Sequence, residues 1–445
     1  MKHISLVAFL LLLSGCHFAE SPAAAAPATD ADETAALQAL ADRGGVIRLT
    51  KPEYRLTKPI VVDLAKSGFT CFEGGTVARV VMAGSGPAFK FLGTHRGSAA
   101  PSTFKEGVWA KERMPGVEGV EIVGAHDEAD GIEASGTMQL TLSRVLIRHC
   151  RHGVHLTDRN RNITIANSHI YENRGVGVFF NGVNLHQANV SGCHISYNNA
   201  GGVVVMGGEV RNLQITGCDI ESNQGKDHPP TANVLVDSTG GTNAEVAITG
   251  CTIQHNHHAV GSANIRIKGL CTLKRKDVDE MRDGNVTITG NVISDVMTNV
   301  HLDHARGVVI TGNTFWTGYD QNLLVEQSAH VTVGPNNFER NPRYRGEETA
   351  GTANSLVFRD CADCTLSGLH IAGVRAAPAG LTIERCSRMN LSGLTILDCE
   401  NVGLLLKDVT RSRVSGCLIR NDLPGSKFEA VKVEGGGENL IEKLN

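Results

Sequence analysis

The sequence predicts an all-β solenoid, in which the chain winds into stacked turns of short parallel strands. A short apolar motif recurs along most of the chain, and the runs within each copy alternate apolar and polar residues. Glycine is abundant, with 50 of 445 residues, while aromatic residues make up 4%. Alternation with period two is typical of strands, and a repeat of roughly 20 to 50 residues is typical of stacked units.

The first residues predict export from the cytoplasm. Lys2 precedes a short apolar run, and residues 13–16 read LSGC. This string resembles a bacterial lipobox, which implies a signal peptide over 1–15, lipidation of Cys16 and an outer-membrane lipoprotein on the periplasmic or cell-surface side. An ordinary secretory signal is the alternative. Residues 16–30 predict a flexible tether, so the membrane would be contacted through the lipid anchor only.

Residues 31–118 predict an N-terminal cap followed by an insertion loop. Residues 30–64 read as an amphipathic helix, a stop at two glycines, a strand, a turn at YRL and another strand. The end of a solenoid exposes its hydrophobic core and an unpaired strand edge, and a cap must cover both. We therefore assign this segment a structural role.

Residues 119–434 carry the repeat, and 435–445 form a tail. Each copy holds three short alternating runs, which predicts three strands a turn and about eleven or more turns. The copies align on one apolar anchor at spacings of 22 to 40 residues. The anchors are Leu142, Ile165, Val190, Ile215, Ile248, Ile288, Ile310, Val333, Leu366, Leu391 and Val414.

Strings such as ITGC and ITGN between alternating runs resemble the right-handed parallel β-helix of the pectate-lyase-like superfamily. The N-terminal segment is similar to the cap of many such proteins. The resemblance implies a right-handed parallel β-helix, a three-strand solenoid with an N-terminal helix/strand cap.

Two kinds of repeated residue are predicted to stack inside the coil. Five asparagines share one corner, which predicts a buried amide ladder: Asn173, Asn198, Asn223, Asn256 and Asn341. Six cysteines share two further slots, where they pack as small apolar groups or form disulfides: Cys193, Cys218, Cys251, Cys417, Cys361 and Cys386. Cys361 and Cys364 lack a second ligand pair, which disfavours zinc.

The first candidate site lies on outward positions of the first strands. By alternation, one column runs through Thr157, Phe179, Met206, Asp237, Lys268, Asp303, Glu326, Arg359, Glu384, Lys407 and Glu434. A parallel column holds His155, Val204, Leu235, Arg266, His301 and Leu324. We name Asp237, Arg266, Lys268, His301 and Asp303 as candidate catalytic residues and His155 and Glu326 as candidate substrate-binding residues.

Three interpretations of this face stay open. Asp237 and Asp303 would lie about 9 to 10 Å apart, and Asp303 and Glu326 about 5 Å apart, near the separations for inverting and retaining glycoside hydrolysis. Alternatively, Asp237 and Asp303 bind calcium while Lys268 or Arg266 abstracts a proton beside a uronate carboxylate. The third interpretation is a solvated strip of alternating charges.

One segment of this face resembles a known family. NIRIKG at 264–269 is similar to the R-I-K segment of polygalacturonase-type glycoside hydrolases, which implies that Arg266 and Lys268 bind a substrate carboxylate. The paired Asp-Asp and the Gly-His-Gly motifs of that family are missing from the preceding turns.

The second candidate site is the corner between first and second strands in the early turns, where the connections are longer. Its candidate substrate-binding residues are Arg159, Arg161, His186, Glu209 and Arg211, and an arginine-rich wall predicts an anionic ligand. The insertion 93–116 adds Trp109, which would stack a sugar ring if the loop folds over a groove, or clasp the end of the coil. The structural alternative to a binding site is that the arginines and asparagines of this corner only bridge neighbouring turns.

These features predict a carbohydrate-active protein that cleaves an anionic polysaccharide, uronic or sulfated, by β-elimination or hydrolysis. The alternatives are a non-catalytic glycan-binding or adhesion solenoid and a polysaccharide C5 epimerase. Lysine plus arginine is 42 against 46 acidic residues, which disfavours nucleic acid as a partner. No cofactor is assigned besides the calcium considered above.

Overall fold

The structure is a computed structural model that describes residues 31–97, 100–226, 228, 231–255, 259–273, 281–340, 351–425 and 427–442. The expected signal peptide, Cys16, the tether, Asn256 and Asn341 lie outside the described residues. Within these ranges, no helix combines the length and apolarity needed to cross a membrane.

A helix covers the first turn of the coil, as expected for the cap. Helix Thr34–Arg43 buries Leu37 and ends at Gly44, whose φ is 68°. The side-chain amide of Gln38 donates to the carbonyl of Val61 and accepts from its N–H, both at 2.8 Å. These backbone groups would otherwise be open to another chain, so the helix protects the edge.

The expected turn at YRL is wrong. Strand Glu53–Leu56 occupies this segment and pairs with the strand Thr70–Met82. Tyr54 and Leu56 alternate into the core, at 7% and 0% exposure, and this period of two favours a strand.

Beyond the cap, the chain is an all-β, parallel β-helix-like solenoid. The helices are Thr34–Arg43, Leu64–Ser67 and Glu106–Lys111, with a 3-10 turn at Pro101–Thr103. The strands are Gly45–Arg48, Glu53–Leu56, Ile60–Asp63, Thr70–Met82, Gly86–Leu92, Gly116–Gly124, Ala129–Met138, Thr141–Ser143, Leu146–Arg148, Val154–Ala166, His169–Tyr171, Val178–Ser191, His194–Ser196, Val203–Thr216, Asp219–Glu221, Val234–Gly241, Val246–Thr249, Thr252–Gln254, Ala263–Lys268, Leu270–Cys271, Met281–Arg282, Gly284–Thr289, Val292–Asp303, Arg306–Thr311, Thr314–Glu326, Ala329–Val333, Asn337–Glu339, Ser355–Arg359, Thr365–Ser367, His370–Ala372, Ala379–Glu384, Asn390–Ser392, Thr395–Leu397, Val402–Lys407, Arg413–Ser415, Leu418–Arg420, Glu429–Glu434 and Leu440–Ile441. Leu270–Cys271 and Met281–Arg282 pair antiparallel; the others stack in parallel.

The predicted register of the repeat is confirmed. Each anchor pairs with the next one in the predicted order, from Leu142 with Ile165 to Leu391 with Val414. Every anchor is at most 1% exposed, so this column forms part of the continuous apolar core.

Some predicted short strands are joined into longer ones. In the early turns the first and second runs form single strands such as Val154–Ala166. Asp158 and Asn162 turn this strand with positive φ values of 59° and 52°, while pairing to the neighbouring turns continues on both sides. The chain therefore bends at the corner without leaving the ladder.

The predicted asparagine ladder exists, with a different continuation. Side-chain amides link Asn173 to Asn198 and Asn198 to Asn223 at 2.7 Å. The next member is Asn233, 2.9 Å from Asn223, and from there each ladder asparagine directly precedes an inward residue of a first-strand run: Val234, Ile265, Val300 and Leu323. The later members are Asn264, Asn299 and Asn322.

Glycines in the early turns explain why the ladder moves from the corner asparagines to Asn233 and not earlier. Gly177 and Gly202 occupy the position before the first strand in the early turns, where an added Cβ would lie 2.9 Å from the amide nitrogens of Asn198 and Asn223. Asn233 occupies the equivalent position one turn later and supplies the amide itself. Each turn therefore has room for one ladder amide.

The stacked cysteines pack as apolar groups. The eleven cysteines of the described residues are free thiols. The N–H of Cys218 donates to Sγ of Cys251 at 3.4 Å, and the N–H of Cys251 donates to Asn291 at 2.9 Å. Burial raises the pKa of the Cys364 thiol to about 12, which opposes a metal-binding thiolate.

We predict that Asn198→Ala lowers the free energy of unfolding by about 2 kcal/mol or more, because it leaves buried ladder groups without partners. The midpoint of urea unfolding measures this effect. Asn181→Ala, at an exposed asparagine, is the matched control and should change the free energy by less than about 0.5 kcal/mol. Equal midpoints for the two variants would contradict a stabilising ladder.

Candidate functional site

The outward side chains of the first strands form the two predicted columns, with one correction. Phe179 pairs with His155 and Val204, so it belongs to the second column. Asn181 takes its place between Thr157 and Met206. The assignment was wrong because the run holds two adjacent phenylalanines, and Phe180 is the buried one.

Asp237 and Lys268 form an ion pair across adjacent turns. Lys268 Nζ lies 2.8 Å from Asp237 Oδ2, and the N–H of Thr239 donates to Oδ1 at 2.9 Å. Burial alone would raise the pKa of Asp237, but the hydrogen bonds from Lys268 and Thr239 outweigh it and the pKa is lowered. Asp237 is therefore a carboxylate and a poor proton donor at neutral pH.

Arg266 and His301 belong to a second set of contacts on the same face. The Arg266 guanidinium donates to the carbonyls of Thr231 and Gly261 at 2.5 and 2.6 Å, and its Nε lies 3.3 Å from His301 Nδ1. His301 Nε2 lies 3.2 Å from Glu326. Burial, and then Arg266, lower the pKa of His301, so a neutral imidazole links the arginine to the glutamate.

The structure brings six of the seven candidate residues of this face onto four consecutive turns, all but His155, but it also pairs their charges. Asp303 contacts His304 at 2.6 Å, and Glu326 contacts Arg359 at 2.7 Å. Lys268 lies between Asp237 and Asp303 in the register, so calcium would have to displace its ammonium group. The face resembles the alternating strip of charges more than an open catalytic centre.

The corner residues are also brought together. Arg161, His186 and Arg211 pair in register on three successive turns. A neighbouring column holds Arg159, Asn184 and Glu209, in which Arg159 donates to Asn184 at 2.7 Å and Asn184 donates to Glu209 at 2.9 Å. Since these strands run unbroken through the corner, the side chains hold a fixed spacing of about 4.8 Å per turn.

The insertion folds over this corner. The Phe104 ring lies 4.9 Å from the Arg161 guanidinium and 5.3 Å from the Trp109 ring. His95 contacts Phe104 edge to face at 4.9 Å, and Glu112 accepts from the N–H of Thr94 at 2.7 Å. Trp109 itself is 43% exposed, so its indole is available to a ligand beside the cations.

The corner columns hold more cations than carboxylates. Arg161 is 8% exposed, and in the described part of the chain no carboxylate pairs with it. Nε of Arg159, Nη1 of Arg161 and both ring nitrogens of His95 are buried without a hydrogen-bond partner. Burial, and then Arg159, lower the pKa values of Arg161 and His186. Buried donors without partners are costly, so this arrangement suits an anion.

A polar groove that the sequence analysis did not assign adjoins the corner. Its cavity of about 350 Å³ is lined by Asn162, Thr164, Gln187, Asn189, Asn212 and Gln214. Three of these residues directly follow Arg161, His186 and Arg211 in the chain. The repeated pairs of amide and hydroxyl residues in NIT, QAN and NLQ are the signal that could have located it.

His155 lies on the first-strand face rather than at the corner. Its ring stacks on Phe179 at 5.4 Å, and Nε2 contacts Asn181 at 3.1 Å. Burial lowers the pKa of His155. The structure therefore separates His155 from the other candidate binding residues on its own strand.

Comparison with known proteins identifies the fold. Residues 107–228 match the family model described as a right handed beta helix region, and residues 233–441 match the model described as periplasmic copper-binding protein (NosD). The sequence matches no curated protein.

Two similar solved structures have low sequence identity. The tailspike protein of E. coli bacteriophage HK620, in complex with pentasaccharide, is 12% identical with a TM-score of 0.53, over 93% of this chain and 77% of that chain. The A-module of the Azotobacter vinelandii mannuronan C-5 epimerase is 13% identical with a TM-score of 0.47, over 93% and 96%. The family model and the tailspike support a right-handed parallel β-helix.

We predict that His95 makes stability depend on pH. Burial, and then Arg159, lower the pKa of His95 to about 4 from an ordinary value of 6.5. The unfolded chain binds the proton first, so this contribution to stability is complete above pH 6.5 and is lost as the pH falls towards 4. Unfolding free energies measured across this window should fall less steeply in His95→Phe than in the wild type.

The exposed His330 supplies the control for this measurement. His330→Gln, which replaces an exposed histidine on the surface of the coil, is the matched control and should keep the wild-type slope of stability against pH. If His95→Phe also keeps that slope, His95 does not titrate as a buried neutral group.

Proposed function

We propose that the protein acts on an anionic, uronic-acid-containing polysaccharide that binds at the corner and along the adjoining groove. The observation that carries this proposal is the group formed by Arg159, Arg161 and His186, in which Nε of Arg159 and Nη1 of Arg161 are buried without a hydrogen-bond partner. Side-chain amides in the groove suit sugar hydroxyls, because an amide both donates and accepts. Trp109 offers an exposed ring at the same place.

Among the chemistries open to such a site, β-elimination fits these residues. Arg161 would bind the uronate carboxylate and favour the loss of the neighbouring C5 proton. Arg211 already donates to the carbonyl and the hydroxyl of Thr242, so it would act as a supporting charge on the next turn. His186, whose pKa is lowered by burial, would accept that proton as a neutral base. The C4–oxygen bond then breaks, and the leaving oxygen takes a proton from solvent.

Hydrolysis fits the corner less well, because it requires two carboxyl groups with separate roles. Glu209 is the carboxylate of the corner columns, and it already accepts from Asn184. The first-strand face remains the second location, with Lys268 and Arg266 as carboxylate-binding cations and Asp237, Asp303 and His301 as acid, base or calcium-binding groups. We rank it second because its charges are already paired.

We also propose that the protein works outside the cytoplasm as an outer-membrane lipoprotein anchored through Cys16. The LSGC string supports the anchor, and the description of one matched family as periplasmic agrees with export. The proposed substrate is a polysaccharide outside the cell. The β-elimination proposed above uses only protein side chains and solvent, and it needs no cofactor.

The first test is a screen of the soluble chain against neutral, uronic and sulfated polysaccharides, with and without EDTA. We predict that a uronic polymer yields unsaturated product, seen by its ultraviolet absorbance, with no effect of EDTA. Reducing ends without that absorbance would indicate hydrolysis, and a changed C5 configuration in the NMR spectrum would indicate an epimerase. Retention on a polysaccharide without any product would support a non-catalytic glycan-binding protein.

We further predict that Arg161→Ala and His186→Ala each lower kcat/KM at least about 100-fold, as loss of a binding cation or a general base does. Arg413→Ala, which removes an exposed ion pair with Glu442 in the last turns, is the matched control and should keep full activity. Activity should fall as the pH drops through the pKa of His186, which lies below 6.5. Loss of activity in Lys268→Ala alone would move the reaction to the first-strand face.

A further inference from the structure

A second group of unbalanced charges lies on the third strands, away from the residues discussed above. His194 and Asp219 pair in register on adjacent turns, and Glu221 lies two residues beyond Asp219. His194 Nε2 is 3.5 Å from Asp219 Oδ2 and 3.8 Å from Glu221 Oε1. One ligand atom of each residue lies within 4.8 Å of those of the other two.

A further histidine and carboxylate support this group from the next turns. His255 Nε2 lies 3.6 Å from Glu221 Oε2, while His255 Nδ1 lies 3.4 Å from Asp295 Oδ2. The imidazole therefore bridges two carboxylates and fixes the orientation of Glu221.

The carboxylates of this group are contacted by histidines and not by lysine or arginine. The group holds three carboxylates, and across the described ranges neither lysine nor arginine pairs with them. Oδ1 of Asp219 is buried without a hydrogen-bond partner.

A comparable group on the first-strand face shows the difference. Asp130, Glu133 and His155 also place ligand atoms within 4.8 Å of one another. There Arg151 pairs with Asp130 at 2.6 Å and Lys90 pairs with Glu133 at 2.8 Å, so the charges are already balanced. Of these two groups, the one around Asp219 therefore has no lysine or arginine partner among the described residues.

We propose that His194, Asp219 and Glu221 bind a divalent transition-metal ion, with His255 as a positioning residue behind Glu221. An imidazole nitrogen in the donor set favours zinc and its neighbours over calcium or magnesium, which prefer oxygen. Zinc bonds of about 2.1 Å in a tetrahedron place ligand atoms about 3.4 Å apart, close to the distances of 3.5 and 3.8 Å. The three ligands lie outside residues 233–441, so the match to the copper-binding model does not carry this proposal.

The test uses Zn²⁺ with the full chain freed of metal by a chelator. Titration calorimetry should show one tight site, and Zn²⁺ should raise the midpoint of thermal unfolding. His194→Gln and Asp219→Asn should each weaken binding at least 10-fold and abolish that rise. His255→Gln should weaken binding about 10-fold while keeping one site, as loss of an outer partner does.

Glu133→Gln is the matched control, because it alters the balanced group and should leave Zn²⁺ binding unchanged. Unfolding midpoints without metal show whether each variant folds. Absence of binding to the wild type, or equal weakening by Glu133→Gln and His194→Gln, would overturn the proposal. Neither result depends on the outcome of the polysaccharide screen.

Discussion

The structure depends on one constraint, which is that each turn satisfies its backbone hydrogen bonds on the turns before and after it. A single turn has no partner of its own, so the strands must stack in a fixed register. The buried ladder from Asn173 to Asn322 enforces the same register through side chains, because each amide fits between two others. Register and stability are therefore inseparable in this chain.

The same constraint fixes the distances between charged side chains on the surface of the coil. Residues at one position on neighbouring turns are held about 4.8 Å apart, so like charges in a column repel unless something neutralises them. Along the first-strand face the signs alternate, as in Asp237 and Lys268, and the column stabilises itself. At the corner and around Asp219 the charges do not balance, which is why we place ligands there and not on the strip.

Much of the fold could be predicted because a strand repeat leaves few choices. Once the anchors such as Ile165 and Val190 are aligned, alternation fixes which neighbours face outward, and most of both columns follow. Alternation placed Phe179 in the wrong column, because two adjacent phenylalanines fit either phase. It also missed the continuation of the ladder to Asn233, because that step depends on the space left by a glycine in the preceding turn.

The candidate sites could be predicted only as sets of residues. The sequence indicates that Arg161, His186 and Arg211 share a corner, since each follows its strand by a similar length. It does not indicate that Phe104 covers Arg161, because the insertion has no repeat to align it. Contacts between a side chain and a loop of unrelated sequence arise from packing in three dimensions.

The hydrogen-bond partners of side chains on the first-strand face could not be predicted from the sequence either. Arg266 could point to a substrate or to the protein, and the carbonyls of Thr231 and Gly261 decide this in favour of the protein. Both carbonyls belong to loops whose lengths differ from turn to turn. A residue type thus indicates which chemistry is available, whereas the partners already present determine whether that chemistry is free for a ligand.

The two unbalanced groups share the same turns of the coil. His186 and His194 follow one another along a single turn, as do Arg211 and Asp219 on the next. The strands between them are anchored by Val190 and Ile215, which are at most 1% exposed, and the ladder amides Asn198 and Asn223 are fully buried nearby. Side chains with unsatisfied charge destabilise a fold, and they persist only where the surrounding structure is stable enough to tolerate that cost. These turns combine a complete apolar core with a complete amide ladder, and this is what allows them to present cations on one side and carboxylates on another.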